Sequence, residues 1–188
     1  MAQLSGMRVA ILATDGVEEV ELTEPLQALR DAGAQVEVLA PHGGTIQAFK
    51  HDTKASALPV DTTLDAADPQ RYDALMLPGG ALNADAMRME LKVQSFIVAA
   101  SGDDKPMAVI CHAPWELISA GVARGRTMTS YFTIQDDVRN AGARWLDQEV
   151  VVDGNLVTSR KPSDIPAFNR EMLALFAAHA PRAQATPR

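Results

Sequence analysis

Residues 108–121 read AVICHAPWELISAG: an apolar run passes directly into a helical pattern, and the only cysteine of the chain, Cys111, stands at the junction. A residue on such a strand-to-helix turn holds its side chain above the edge of a sheet. The helix behind it presents unpaired N–H groups and a partial positive charge, which favour the reactive thiolate. A lone cysteine is more often an inert core residue, but this position and the adjacent His112 favour a nucleophile with a candidate base beside it. The stretch therefore predicts a nucleophile elbow at Cys111.

Further apolar runs on both sides of this stretch have the length and composition of buried strands. They lie at residues 8–13, 35–41, 74–80 and 106–110, and the alternation at 149–159 predicts a hairpin. Segments of helical periodicity separate the strands. This order predicts an α/β fold, a doubly wound and mostly parallel sheet with helices on both faces.

The segments between and after the strands also carry local signals. Thr23 is the predicted cap of the first helix, and residues 84–103 have the periodicity of one continuous helix. Residues 42–68 read as a hairpin-like excursion. A long amphipathic helix is predicted at 162–180, followed by a flexible tail at 181–188.

Three of the predicted strands end in loops that carry chemically useful groups. These groups are Glu18, Glu19 and Glu21 after the first strand, Gly79 and Gly80 after the third, and Cys111 and His112 after the fourth. Because parallel strands end at the same edge of a sheet, we expect a thiol, carboxylates and free backbone amides to meet there. The amides of Gly80 and His112 can then hold a developing oxyanion. The plainer alternatives are a solvated acidic helix start and an ordinary glycine turn.

The composition limits the classes of protein to which the chain can belong. Its 188 residues suit a single globular domain over residues 1–188. A formal net charge of −7 argues against binding to nucleic acid or to anionic membranes. One cysteine forms no intrachain disulfide, and no apolar run reaches the length of a membrane span, so a cytoplasmic protein is expected.

Four segments together resemble the PfpI family, a branch of the superfamily that includes the parkinsonism-linked protein deglycase and the class I glutamine amidotransferase domains. They are ILATDGVEEVEL (11–22), ALMLPGG (74–80), AVICHAPWELISAG (108–121) and DQEVVVDGNLVTSRKPSD (147–164). The resemblance extends over about residues 7–178 in matching order. It implies a flavodoxin-like three-layer sandwich and a homodimer, in some members a hexamer.

The resemblance also assigns roles to individual residues. Cys111 matches the elbow nucleophile, and His112 matches the histidine that follows it. Glu18 matches the glutamate that hydrogen-bonds the thiol and is held protonated. Gly80 and His112 match the positions whose amides form the oxyanion hole.

One departure concerns the acid that orients the histidine. Several relatives carry an acid four residues after the double glycine. In those relatives the acid reaches across a subunit interface to the histidine that corresponds to His112. This chain has Ala84 there and Asp85 one position later. Either a shift of one residue in the loop lets Asp85 act as the acid that orients His112, or His112 lacks an acidic partner. The second case weakens the hypothesis that the protein is a peptidase.

The resulting hypothesis is a cysteine-dependent stress enzyme that needs no cofactor and acts on small reactive carbonyls or on glycated proteins and peptides. Cys111 would add to an aldehyde, and Glu18 would move a proton between neighbouring carbons. The alternatives are a PfpI-type cysteine peptidase or amide hydrolase and a redox-sensing stress protein. Glutamine amidotransfer is disfavoured because no His-x-Glu pair follows Cys111, and the four histidines lack the spacing of a metal site.

Overall fold

A computed structural model describes residues 3–180, and the predicted tail at 181–188 lies outside the described residues. The strands found in this part of the chain are β1 (Arg8–Leu12), β2 (Gln35–Ala40), β3 (Thr45–Lys50), β4 (Thr53–Pro59), β5 (Thr62–Thr63), β6 (Ala74–Leu77), β7 (Met107–Ile110), β8 (Thr127–Met128), β9 (Arg144–Trp145), β10 (Val150–Asp153) and β11 (Leu156–Ser159). The α-helices are α1 (Glu19–Asp31), α2 (Ala81–Met87), α3 (Leu91–Gly102), α4 (Pro114–Ser119), α5 (Gln135–Asn140) and α6 (Ile165–His179). None of the helices within residues 3–180 is both long enough and apolar enough to cross a membrane.

Seven strands in the described range form one sheet in the order β10-β11-β7-β6-β1-β2-β5. Every neighbouring pair is parallel except β10 and β11, which form the predicted antiparallel hairpin. The chain leaves β1 towards β2 on one side and later returns to β6 on the other side. The loops after β1, β6 and β7 therefore meet at one edge, beside the point where the strand order changes direction.

The sheet separates two apolar layers, and β1 contributes to both. Val9 and Ile11 face the layer formed with α1 and α6, whereas Ala10 and Leu12 face the layer formed with α3, α4 and α5. This alternation follows from the two-residue period of a strand. The predicted three-layer α/β fold is confirmed.

The first helix begins earlier than predicted. Glu18 is extended, with φ −69° and ψ 117°, and α1 starts at the next residue. Thr23 lies inside the helix, where its hydroxyl donates to the carbonyl of Glu19 at 3.0 Å, so the predicted cap is wrong. The shift matters because it decides which acidic side chain of this segment faces the interior.

The predicted helix at 84–103 consists of two helices. The chain breaks between α2 and α3, where Glu90 is extended with φ −75° and ψ 113°. The side-chain amide of Gln94 donates to the carbonyl of Arg88 at 2.8 Å and satisfies a group that the break leaves without a helical partner. The hairpin predicted within residues 42–68 is confirmed as β3 and β4.

Candidate active site

Cys111 stands on the sharp turn between β7 and α4, as the sequence predicts. Its φ of +65° lies in the left-handed region, which costs a non-glycine residue about 1–3 kcal/mol. Two backbone hydrogen bonds hold the turn: Cys111 donates to the carbonyl of Ser159 at 3.0 Å, and the amide of Tyr131 donates to the carbonyl of Cys111 at 2.7 Å. The strained backbone is thus fixed from the sheet on one side and from a neighbouring loop on the other.

The thiol lies in a buried environment. Cys111 is 6% exposed, and burial, followed by the neighbouring Glu21, raises the pKa of the thiol well above its usual value. The amides of Gly80 and His112 donate to the sulfur and act in the opposite direction. Burial outweighs these amides and the short helix α4, so the expected resting thiolate is wrong and the thiol is protonated at neutral pH.

Glu21 is the carboxyl group next to the thiol. Its Oε2 accepts the amide of Gly79 at 3.0 Å, and the carboxyl lies close enough to the thiol of Cys111 for each group to shift the pKa of the other. Glu21 is fully buried, and burial first, with the charge of Glu18 as a lesser contribution, raises its pKa to about 8. The carboxyl is therefore mainly neutral at pH 7.

Gly79 makes this close approach possible. A Cβ atom at this position would lie 2.3 Å from Oε2 of Glu21 and 2.5 Å from Cβ of Cys111, distances that no real side chain tolerates. The glycine that reads as a simple turn residue in the sequence thus brings the acid and the thiol together.

Glu18 was expected to be the thiol's partner, and this prediction is wrong. Its Oε2 accepts the backbone amide of His51 at 2.9 Å, in the turn of the β3–β4 hairpin. Glu18 is one of three acidic side chains that receive backbone amides of this hairpin: Asp15 binds Gln47 at 2.7 Å, Glu18 binds His51 at 2.9 Å, and Glu19 binds Ser56 at 3.1 Å. Because Glu18 precedes α1 in an extended conformation, its side chain points to the hairpin and not into the sheet.

A signal for Glu21 is present in the sequence. The buried residues of α1 are Glu21, Leu22, Pro25 and Leu29, which form one helical face. An acid on the apolar face of a helix is a stronger candidate for a perturbed pKa than an acid that precedes the helix. The assignment to Glu18 rested on the match to the family pattern, and because the helix was expected to begin after all three acids, no helical face distinguished Glu21 from the others.

His112 lies against both the thiol and two aromatic rings. Its Nδ1 is 3.2 Å from Sγ of Cys111, and its Nε2 is 3.5 Å from the hydroxyl of Thr133. The ring stacks on Tyr131 at 4.7 Å between centroids, and Trp115 packs beside it at 5.4 Å. Burial lowers the pKa of His112, so the imidazole is uncharged at neutral pH.

The structure does not bring Asp85 to His112 within one chain. Asp85 is exposed on α2, Ala84 is buried beneath it, and no carboxylate among the described residues hydrogen-bonds the imidazole. The suggestion that Asp85 acts as an acid partner across a subunit interface stays a prediction.

The two amides proposed for the oxyanion hole do meet at the sulfur. Gly80 has φ +93° and directly precedes α2, and its amide converges with that of His112 on Cys111. A Cβ atom at Gly80 would lie 2.3 Å from the carbonyl of Gly16. Their role as oxyanion donors stays a prediction.

A cavity of about 540 Å³ opens beside the thiol and has room for a small ligand. Cys111, His112 and Glu21 line it, together with His51 and Lys161, two side chains that sequence reasoning assigned to no site. His51 comes from the hairpin that Glu18 holds in place. No cluster of three or more potential metal-ligating side chains occurs among residues 3–180.

The sequence model of the DJ-1/PfpI family matches residues 7–175. The chain belongs to this family. "Deglycase TK1284" of Thermococcus kodakarensis is 46% identical over 170 residues, which cover 90% of this chain and 99% of the relative. "Protein/nucleic acid deglycase 2" of Escherichia coli is 42% identical over 173 residues, covering 91% and 98%.

Solved structures agree with this membership of the DJ-1/PfpI family. The crystal structure of Drosophila melanogaster DJ-1beta has a TM-score of 0.82 and 30% identity, over 91% of this chain and 90% of that chain. The resemblance to the PfpI family and the flavodoxin-like fold that it implies are both confirmed.

Proposed function

We propose that this member of the DJ-1/PfpI family is a cysteine-dependent deglycase or glyoxalase that acts on reactive dicarbonyls such as methylglyoxal and on their adducts with proteins and peptides. The observation that carries the proposal is the buried, mainly neutral Glu21 carboxyl beside the Cys111 thiol in the lining of one cavity. The relatives from Thermococcus kodakarensis and Escherichia coli, both named as deglycases, support it. The mechanism needs no cofactor.

The reaction begins with addition of the thiol to the aldehyde carbon of methylglyoxal. Sulfur forms a bond to carbon, the thiol proton passes to Nδ1 of His112, and Glu21 donates its proton to the aldehyde oxygen. The product is a hemithioacetal. A protonated Glu21 is required in this step, in agreement with its pKa of about 8.

Glu21 then acts as a base. Its carboxylate removes the hydrogen from the carbon bonded to sulfur, and the amides of Gly80 and His112 hold the negative oxygen of the enediolate. Glu21 returns the proton to the neighbouring carbon, and the hydroxyl proton shifts between the two oxygens to give a thioester. A carboxylate with a raised pKa is a stronger base than an exposed one, which suits the removal of a proton from carbon.

Hydrolysis of the thioester completes the cycle. Water adds to the acyl carbon, sulfur leaves and recovers its proton from His112, and Glu21 takes the proton that water releases. The overall change is one methylglyoxal and one water to one lactate and one proton. For a glycated amine, the same attack by Cys111 would displace the amine from the adduct carbon.

The test is lactate formation from methylglyoxal, together with release of free amine from a methylglyoxal-treated peptide. We expect the native protein to perform both reactions and Cys111→Ala to perform neither. Cys111→Ser is the matched control, because it keeps the size of the side chain and removes the sulfur. Equal rates for all three proteins would contradict the proposal.

The two other functions considered from the sequence have less support. A triad-type peptidase needs a histidine that is hydrogen-bonded directly to a carboxylate, and His112 has no such partner among the described residues. A redox sensor needs an easily formed thiolate, whereas the pKa of Cys111 is raised. Cleavage of casein without lactate formation would favour the peptidase, and stable addition of two oxygens without lactate formation would favour the sensor.

The remaining expectations stay predictions: a homodimer or hexamer, a cytoplasmic location, and no binding to nucleic acid or membranes. The name of the Escherichia coli relative includes nucleic acid among its substrates. The net charge of −7 predicts faster action on glycated peptide than on glycated nucleic acid at low salt. A comparison of the two substrates at equal adduct concentration tests this expectation.

A further inference from the structure

The orientation of His112 requires an explanation, because the proposed reaction needs its Nδ1 to face the thiol. The hydroxyl of Thr133, at 3.5 Å from Nε2, is the only hydrogen-bond partner of the ring besides the thiol within residues 3–180. A contact of this length is at the weak end of the range for hydrogen bonds. Other contacts must therefore keep the ring in place.

Two aromatic rings provide these contacts. Tyr131 stacks on the imidazole with an interplanar angle of 28°, and Trp115 meets it at 57°. Trp115 follows His112 by three residues, and its backbone amide donates to the carbonyl of His112 at 3.1 Å. The imidazole thus contacts two aromatic side chains.

Trp115 is itself held from two other helices. Its indole Nε1 donates to Oδ2 of Asp137 on α5 at 2.8 Å. The guanidinium carbon of Arg88 lies over the indole ring, 5.3 Å from its centre, and Nε of Arg88 donates to the hydroxyl of Ser119 at 3.0 Å. A hydrogen bond from an indole to a carboxylate is charge-assisted and directional, so Asp137 fixes the rotation of the indole.

We propose that Asp137 and Trp115 are positioning residues for His112, and that they replace the carboxylate that orients the histidine in a catalytic triad. Asp137 holds the indole, and the indole and Tyr131 together hold the imidazole with Nδ1 at 3.2 Å from the sulfur. When His112 takes the thiol proton, the imidazolium lies against aromatic faces that attract a cation. The inference rests on the proposed function in one respect, that His112 receives this proton.

The experiment measures the alkylation of Cys111 by iodoacetamide at pH 7, which requires no knowledge of the substrate. We expect Asp137→Ala to slow alkylation by about fivefold to tenfold, because a loosely held imidazole accepts the thiol proton less often. Asp137→Asn keeps an acceptor for the indole and should remain within about twofold of the native rate. Asp136→Asn is the matched control, since it removes one exposed charge from the same helix.

A double-mutant cycle separates positioning from a general effect on the fold. Trp115→Leu should slow alkylation in the native background and have no further effect in the His112→Ala background, because the indole acts through the imidazole. In lactate formation, Asp137→Ala should lower kcat and leave KM unchanged.

Two results would overturn the inference. One is an Asp137→Ala variant whose Cys111 is alkylated as fast as in the native protein. The other is a Trp115→Leu substitution that slows alkylation as much in the His112→Ala background as in the native background. An error in the proposed function gives a different result. In that case the native protein forms no lactate from methylglyoxal, while the alkylation rates of the variants still support the positioning role.

Discussion

Replacing Glu21 by glutamine is expected to make the Cys111 thiol easier to ionise and, at the same time, to slow lactate formation. Glu21 raises the pKa of Cys111 through its charge, so Glu21→Gln should shift the midpoint of Cys111 alkylation to lower pH. Glutamine cannot carry a proton between carbons, so lactate formation should fall by about 10²–10⁴-fold. A more readily ionised thiol would therefore accompany a slower enzyme.

The same substitution has a stability effect whose sign follows from the pKa. Glu21 has a pKa of about 8 in the folded protein against 4.5 when unperturbed. The folded state holds its proton more tightly than the unfolded state, so this group makes the native protein less stable as pH rises from about 4.5 to 8. Glutamine does not titrate. Between pH 5 and 7.5, the free energy of unfolding of Glu21→Gln relative to the native protein should rise by about 3 kcal/mol.

Urea unfolding at the two pH values measures this difference, and the other titrating groups cancel in the comparison. Glu18→Gln is the matched control, since Glu18 binds the hairpin amide and not the thiol. The reasoning is refuted if the stability difference is independent of pH. It is also refuted if Glu18→Gln stops lactate formation and Glu21→Gln does not.

Three further predictions concern the residues around this centre. Glu116 is fully buried, neither of its oxygens has a hydrogen-bond partner among the described residues, and burial raises its pKa. The free energy of unfolding of Glu116→Met, measured in urea, should therefore increase relative to that of the native protein as pH rises. The expected increase is about 1.4 kcal/mol for each pH unit above 4.5, until the buried carboxyl ionises. Gly79→Ala places a methyl group against Glu21 and should cost about 1–3 kcal/mol and abolish lactate formation. Gly102→Ala is its control, because a Cβ atom there meets open space, and equal effects of the two would contradict the packing argument. Glu18→Ala should speed amide hydrogen exchange in the β3–β4 turn, and unchanged exchange would show that the hairpin does not depend on this carboxylate.

Much of the architecture follows from patterns that neighbouring residues create. The two-residue alternation of β1 and the turn residues Asp153-Gly154 predict a buried strand and a hairpin, and both are confirmed. The run from residue 108 to residue 121 predicts a strand, a turn and a helix with Cys111 at the turn, as found. The boundaries of α1 and the break before α3 were missed because propensity alone does not locate them.

The sequence by itself determined that a thiol, an imidazole, acidic side chains and glycine amides share one edge of a parallel sheet, since strand periodicity and loop order are local properties. Only the tertiary structure decided that Glu21 and not Glu18 meets the thiol, and that Trp115 and Tyr131 pack against His112. It also decided that the thiol is protonated at rest. The physical reason is that a pKa and a side-chain contact depend on the burial and charge contributed by residues far apart in the chain, such as Glu21 and Gly79, which are 58 positions apart.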